Sequence, residues 1–259
     1  MYLSYDDKKE IKDEIGKIKN YDFKSREPGF NSITERILNT IFSHKNHGKE
    51  DKSDYEKENG NYPYVPFNRG MFTQIIVFLQ KKYHKKSFID VGCGIGDKVI
   101  LAEIFGDFKS VTGIELNTTT YHVAKYFIDT GLLPFQRNED YFKKEMLHGH
   151  EIFTTAEIKR EILNINAFDY DFSQHDFIYM YSPISDNKIL KKLYLKILKE
   201  MPIGGILLEV LGPEIIVNVI KKEFKNLSLK NNSKYDSHFV NVIIERTETG
   251  FNINDVFGE

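Results

Sequence analysis

The chain has 259 residues, with 36 Lys and Arg against 38 Asp and Glu, a formal net charge of −2 and a hydrophobic fraction of 41%. Such a length suits one large domain, or one domain with an appendage, and can bury a full core without covalent staples. The near-neutral balance argues against a protein that coats nucleic acid by bulk charge. The single cysteine, Cys93, excludes a disulfide scaffold or a cysteine-cluster zinc site. Arg stands at only six positions, too few for a dense surface of paired contacts to phosphate. No apolar run approaches the length of a membrane span, and the start, MYLSYDDKKEIKDE, is charged. The expectation is a cytoplasmic globular protein that does not engage a membrane.

Residues 1–62 are expected to form a helical extension ending in a polar loop. Ile11, Ile15 and Ile18 recur at helical spacing in a charged stretch. Ser32 and Glu35 form a capping-box pair ahead of Ile37, Leu38, Ile41 and Phe42. Residues 43–61 are almost without apolar side chains, which predicts a flexible loop or lid. A second unit, 63–250, alternates short apolar runs with helical patterns. A helix through Phe72, Ile75, Ile76 and Leu79 precedes a strand at Ser87–Val91. After a glycine-rich turn comes a helix through Val99–Ile104, a strand at Ser110–Leu116 and a helix from Thr118 closed by Gly131. Strands are then expected at Glu161–Asn166, Asp176–Tyr181, Gly205–Val210, Leu227–Leu229 and Phe239–Glu245, and helices at Asp186–Met201 and Glu214–Phe224. This repetition specifies a mainly parallel α/β sheet covered on both faces. The last two strands have no helix between them and are expected to pair antiparallel. Residues 132–160 exceed an ordinary helix-to-strand connection and are taken as an insertion, partly helical.

The chemistry is concentrated between Phe88 and Asn117. Asp90 ends a strand, Gly92, Gly94 and Gly96 follow at every second residue, and a helix begins. Glycines there let the backbone turn sharply and approach a ligand closely. Glu115, nineteen residues after Gly96, ends the next strand, where an acid can accept hydrogen bonds from ribose hydroxyls. Together these point to a nucleoside-containing cofactor at the carboxyl edge of the sheet. A dinucleotide fingerprint needs glycine at the sixth place, but Asp97 stands there. A carboxylate would repel pyrophosphate, whereas it tolerates a sulfonium and an amino group. The spacing therefore favours S-adenosylmethionine over a nicotinamide dinucleotide.

Over Tyr62 to Glu245 the sequence resembles the class I S-adenosylmethionine-dependent methyltransferases: DVGCGIG is similar to that family's first motif and GIELN to its second. The resemblance implies a Rossmann-like fold with a seven-stranded, mainly parallel sheet and an antiparallel final strand. It also implies that Asp90 holds the cofactor's amino group through water and that Glu115 holds the ribose. In place of the family's Gly-Asp-Ala-like third motif stands Ile165-Asn166-Ala167-Phe168, so the adenine contact falls on Asn166. Past the fourth strand, Tyr181-Ser182-Pro183-Ile184 is a degenerate version of the turn that grips a planar amine in DNA-adenine and glutamine methyltransferases. The segment Tyr62-Pro63-Tyr64-Val65-Pro66, with Glu115-Leu116-Asn117, is similar to small class I protein-lysine methyltransferases. A protein lysine or a small molecule is the implied acceptor, with RNA or DNA, or a non-catalytic cofactor-binding module acting in a complex, as the alternatives. Lysine methylation requires loss of a proton, and Tyr181, Tyr64 and Asp186 are the candidate acceptors. His148 and His150 lack a third ligand, so no metal site is expected.

Overall fold

The computed structural model describes residues 67–134, 149–151, 158–181, 183–210, 213–232 and 241–256, with Lys9, Lys12 and Asp13. The expected helices around Ile11 and Ile37, the 43–61 loop and the Tyr62–Pro66 segment lie outside the described residues. So do Tyr64, Ser182 and His148.

Helix α1 (Arg69–Tyr83) starts where the Asn68 side chain accepts the Met71 amide at 2.9 Å, and ends at His84 in a left-handed conformation. Strand β1 (Ser87–Val91) leads through the glycine turn into α2 (Asp97–Phe105), then β2 (Ser110–Glu115) and α3 (Thr118–Thr130), which Gly131 closes with φ +69°. Within the expected insertion at 132–160, two short strands, β3 (Leu132–Pro134) and β4 (Gly149–Glu151), pair antiparallel, while residues 135–148 and 152–157 lie outside the described residues. Strand β5 (Lys159–Asn164) is followed by two 3₁₀ turns, Ala167–Asp169 and Phe172–Gln174. Next come β6 (Phe177–Met180), α4 (Asn187–Glu200), β7 (Ile206–Val210), α5 (Pro213–Glu223), β8 (Ser228–Asn231), β9 (Asn241–Arg246) and β10 (Gly250–Asp255).

The main sheet runs β5-β2-β1-β6-β7-β9-β10-β8. It has eight strands rather than the expected seven, and only β9 runs against the rest. The antiparallel strand is thus not the final one. Nor do β8 and β9 pair with each other: β10 lies between them, antiparallel to β9 and parallel to β8. Phe251 and Ile253 alternate with Asn252 and Asn254, so β10 carries the period of a strand, and both apolar residues are buried. The sheet continues to Asp255, past the boundary expected at 250.

Both faces are covered, as parallel strands require. On one face Phe88, Phe177, Tyr179, Ile206 and Leu208 pack against α1, α2 and α3. On the other, Ile89, Val91, Ile178, Met180, Leu207 and Ile244 meet α4 and α5. The helices follow their positions. α4 buries Leu190, Leu193, Tyr194, Ile197 and Leu198 along one stripe, whereas every residue of α2 is buried. The chain builds outward from β1 to β2 and β5, then crosses back to β6 and β7. The order therefore reverses between β1 and β6, and the crevice at the carboxyl ends there is where ligands bind in such sheets.

Candidate functional site

Two turns meet at that crevice. The first, after β1, holds Gly92, Gly94 and Gly96 at φ +77°, +54° and +80°, a region side-chain-bearing residues avoid. Its start is pinned by the amides of Gly92 and Cys93, which donate to the Ile114 carbonyl at 2.9 and 3.0 Å. The second follows β6, and a Cβ on Gly92 would lie 2.7 Å from Pro183 Cβ. Glycine at 92 therefore serves both the bend and the close approach of the two turns. Beneath them, a Cβ on Gly113 of β2 would come within 2.7 Å of Ile162, 2.8 Å of Cys93 Sγ and 2.9 Å of Val99. The turn is seated directly on the second strand.

Glu115 reaches across from the end of β2. Its Oε2 accepts the Gly94 amide at 3.0 Å and its Oε1 the Asn117 amide at 2.8 Å. A carboxylate has about four lone-pair directions, so acceptor capacity remains for a ligand's hydroxyls. Burial pushes its pKa above the usual carboxylate range, against the pull of the Asn117, Gly94 and Leu116 amides. Asn164 steadies the following bend, donating to the carbonyls of Glu115 and Leu116 at 2.9 and 3.0 Å, and Asn117 caps α3.

Asp90 sits at the end of β1 between Gly113 and Tyr179 in register, and is almost fully buried. Burial raises its pKa well above the ordinary value; Lys98 opposes that shift, while Asp97 and Glu115 add to it. Cys93 lies in the same turn, buried, with its thiol pushed up by burial and the neighbouring acids. Tyr179 is also buried, and its hydroxyl has no hydrogen-bond partner among the described residues.

The structure changes the part assigned to Asp97. Its Oδ2 receives Arg69 Nε at 3.0 Å and Lys98 Nζ at 2.8 Å, and all three side chains are buried. Burial disfavours the Asp97 charge, but Lys98 and Arg69 outweigh that and hold its carboxyl below the usual range. Two cations share one carboxylate, so its repulsion is not what would exclude a pyrophosphate. Around the turn, the acids Asp90, Asp97 and Glu115 stand with the cations Arg69 and Lys98.

Asn166 follows β5 and is exposed; its Oδ1 accepts the Phe168 amide at 3.0 Å and caps the first 3₁₀ turn, leaving the amide hydrogens directed elsewhere. Tyr181, half-buried at the end of β6, packs against Phe67 with ring centroids 5.3 Å apart. Asp186 lies further on, at the start of α4. Its Oδ1 accepts the Lys188 and Ile189 amides at 2.7 and 3.1 Å, which lowers its pKa. Asp90, the three glycines, Glu115 and Tyr181 thus share one edge of the sheet, while Asp186 is occupied as a helix cap.

Sequence reasoning missed Arg69, Lys98, Tyr179 and Phe67. No local signal joins Arg69 to Asp97, 28 positions apart. Among the described residues there is no cluster of three metal-ligating side chains and no helix long and apolar enough to cross a membrane.

No family model and no curated protein matches the sequence. Similar solved structures include a S-adenosylmethionine-dependent methyltransferase from Clostridium acetobutylicum ATCC 824, 13% identical, with 71% of this chain and 70% of that chain covered and a TM-score of 0.39. An RNA methyltransferase from Salinibacter ruber in complex with S-adenosyl-L-homocysteine is 16% identical over 56% of this chain and 77% of that one, with a TM-score of 0.38. The cyclopropane synthase MmaA2 from Mycobacterium tuberculosis is 15% identical over 59% of this chain, with a TM-score of 0.40; the match spans only 48% of the synthase. The fold is defined by its own strand order, β5-β2-β1-β6-β7-β9-β10-β8.

Proposed function

We propose that the chain is a S-adenosylmethionine-dependent methyltransferase acting on a protein lysine side chain or on a small-molecule acceptor. The observation that carries this reading is the pairing of Asp90 and Glu115 on opposite sides of a turn with three left-handed glycines. The residues suit the group chemically. Glu115 retains acceptor capacity for a ribose, Asp90 is a buried acid that a cationic amino group would stabilise as the anion, and Asn166 has an amide to offer adenine.

S-adenosylmethionine supplies a methyl group on a sulfonium, ready for in-line displacement. The chain's own task is then positioning, which can account for much of the rate. Phe67 and Tyr181 form an aromatic wall beside Tyr179 and Asp90, suited to the alkyl arm and nitrogen of an amine. Tyr181 is the candidate to accept or relay the acceptor's proton, since Asp186 is committed to its backbone amides.

Calorimetry with S-adenosylmethionine, S-adenosylhomocysteine and NAD tests the cofactor; binding of NAD in preference to the other two would overturn the reading. Labelled-methyl transfer to a lysate separated into protein, nucleic acid and small-molecule fractions tests the acceptor. Label in protein or small molecules is the expected result, and label confined to nucleic acid would reject the acceptor class.

A further inference from the structure

The outward face of α4 carries a run of positive charge that nothing nearby neutralises. The helix holds five lysines against one acid, Glu200, in a chain whose net charge is −2. Leu190, Leu193, Tyr194, Ile197 and Leu198 take its buried stripe. Lys188, Lys191, Lys192 and Lys199 are all exposed, and helical geometry sets them on the opposite side, within about 100° of one another and along about 17 Å of axis. Lys196 pairs with Glu200, whereas these four make no ion pair among the described residues. Lys188 and Lys192 help to hold the Asp186 carboxyl below its usual range, but that acid is already committed to the Lys188 and Ile189 amides as the helix cap. The arrangement opposes the helix. Lys188 stands three and four residues from Lys191 and Lys192, where like charges repel, and no acid offsets the positive dipole end in the first turn. An anionic partner would relieve both.

We propose that this face of α4 docks an acidic polypeptide segment, so that the protein acceptor is a lysine with acidic residues along the adjoining chain. This rests on the lysine-acceptor reading above. The stripe begins beside the crevice, because α4 follows the turn after β6, whose Pro183 stands against Gly92. An extended segment of about six residues covers its length, with alternate side chains facing the helix. The face lacks the marks of a nucleic-acid surface: α4 has no arginine, and its one aromatic, Tyr194, is buried. Instead, Leu195 lies half-buried among the lysines and Ile189 is exposed at their flank, apolar surface that the side chains of a polypeptide can meet.

The test is fluorescence anisotropy on the full chain with labelled probes of equal length: peptides with a central lysine flanked by alternating glutamates, glutamines or lysines, and a single-stranded RNA. The glutamate peptide is expected to bind most tightly and to weaken as salt is added. Lys188→Gln, Lys191→Gln and Lys192→Gln combined lower its affinity about tenfold, the effect of three exposed charge pairs. Lys81→Gln, Lys86→Gln and Lys109→Gln combined remove the same charge from exposed lysines at the amino edge of the sheet and keep the wild-type affinity. Thermal melts report folding; should the α4 variant not fold, Lys192→Gln alone, with a loss of about twofold, carries the comparison. Equal binding of the glutamine peptide, tighter binding of the RNA, or the same loss from both triple variants would overturn the proposal. A chain that binds S-adenosylmethionine but not the glutamate peptide likewise rejects the docking face and leaves the cofactor assignment standing. One that binds the glutamate peptide through α4 but no S-adenosylmethionine supports the face and rejects the cofactor assignment instead.

Discussion

His175 gives the fold a calculable sensitivity to acid. The residue follows the second 3₁₀ turn and is only 5% exposed; its Nε2 lies 2.6 Å from the Tyr170 hydroxyl, and the rings stack at 5.8 Å. Its Nδ1 has no partner among the described residues. Burial lowers its pKa from 6.5 to about 4, with Lys159 pushing the same way and Asp176 and Asp171 opposing. The folded state therefore binds fewer protons than the unfolded chain between those values. Stability is independent of this group above pH 6.5 and falls as the pH drops toward 4. At about pH 5 the linked loss is about 2 kcal/mol, and below the folded pKa it approaches about 3 kcal/mol, a sizeable share of a typical domain's stability. Urea unfolding at about pH 7.5 and about pH 5, on wild type and on His175→Gln, isolates the contribution as the difference between the two pH dependences. The glutamine amide can still meet Tyr170 but does not titrate in this range. Equal pH dependence in both proteins, or an NMR titration placing His175 at its ordinary value, would refute the reasoning. The segment at stake follows Asn166, so acid would loosen the end of the crevice that carries the proposed adenine contact.

Glu115→Ala removes acceptors from two backbone amides as well as from the ligand, and a loss of about 1–3 kcal/mol in S-adenosylmethionine affinity is expected by calorimetry; unchanged affinity would remove Glu115 from the ribose role. Gly92→Ala places a methyl 2.7 Å from Pro183 Cβ at φ +77°, and the conformational strain alone costs about 1–2 kcal/mol, so urea unfolding should show at least that destabilisation along with weaker cofactor binding. Arg246 Nη1 donates to the carbonyls of Leu198, Lys199 and Met201 at 3.1, 2.7 and 2.6 Å. Arg246→Met should destabilise the fold by about 1–3 kcal/mol through the uncapped end of α4, with cofactor affinity unchanged because that end lies at the opposite edge of the sheet.

The central strands and helices were legible because their signals are local. Ser87–Val91 reads as a buried strand and is one, and Asn117 and Gly131 bracket α3 as capping residues should. The glycine turn and Glu115 were equally plain, since spacing along the chain alone brings them to one edge. β10 escaped because its outward positions are asparagines and its apolar pair is short; only the sheet context makes Phe251 and Ile253 a strand. The pairing of β8 with β10 depends on that same missing strand. Arg69 and Lys98 were illegible for a different reason. Charged residues near a helix start read as solvated by default, and only packing α1 against α2 buries them together on Asp97.

The contact between Gly113 and Cys93 has a consequence for how this chain can vary. Because a methyl on one residue would collide with the sulfur of the other, positions 93 and 113 compete for a single volume. A side chain at 113 would have to displace Ile162 and Val99 as well as the sulfur, so position 113 should hold to glycine, with alanine or serine the easy replacements at 93. The same crowding shields the thiol, 3% exposed, from alkylating reagents in the folded chain, making Cys93 labelling a chemical clock for opening of the turn.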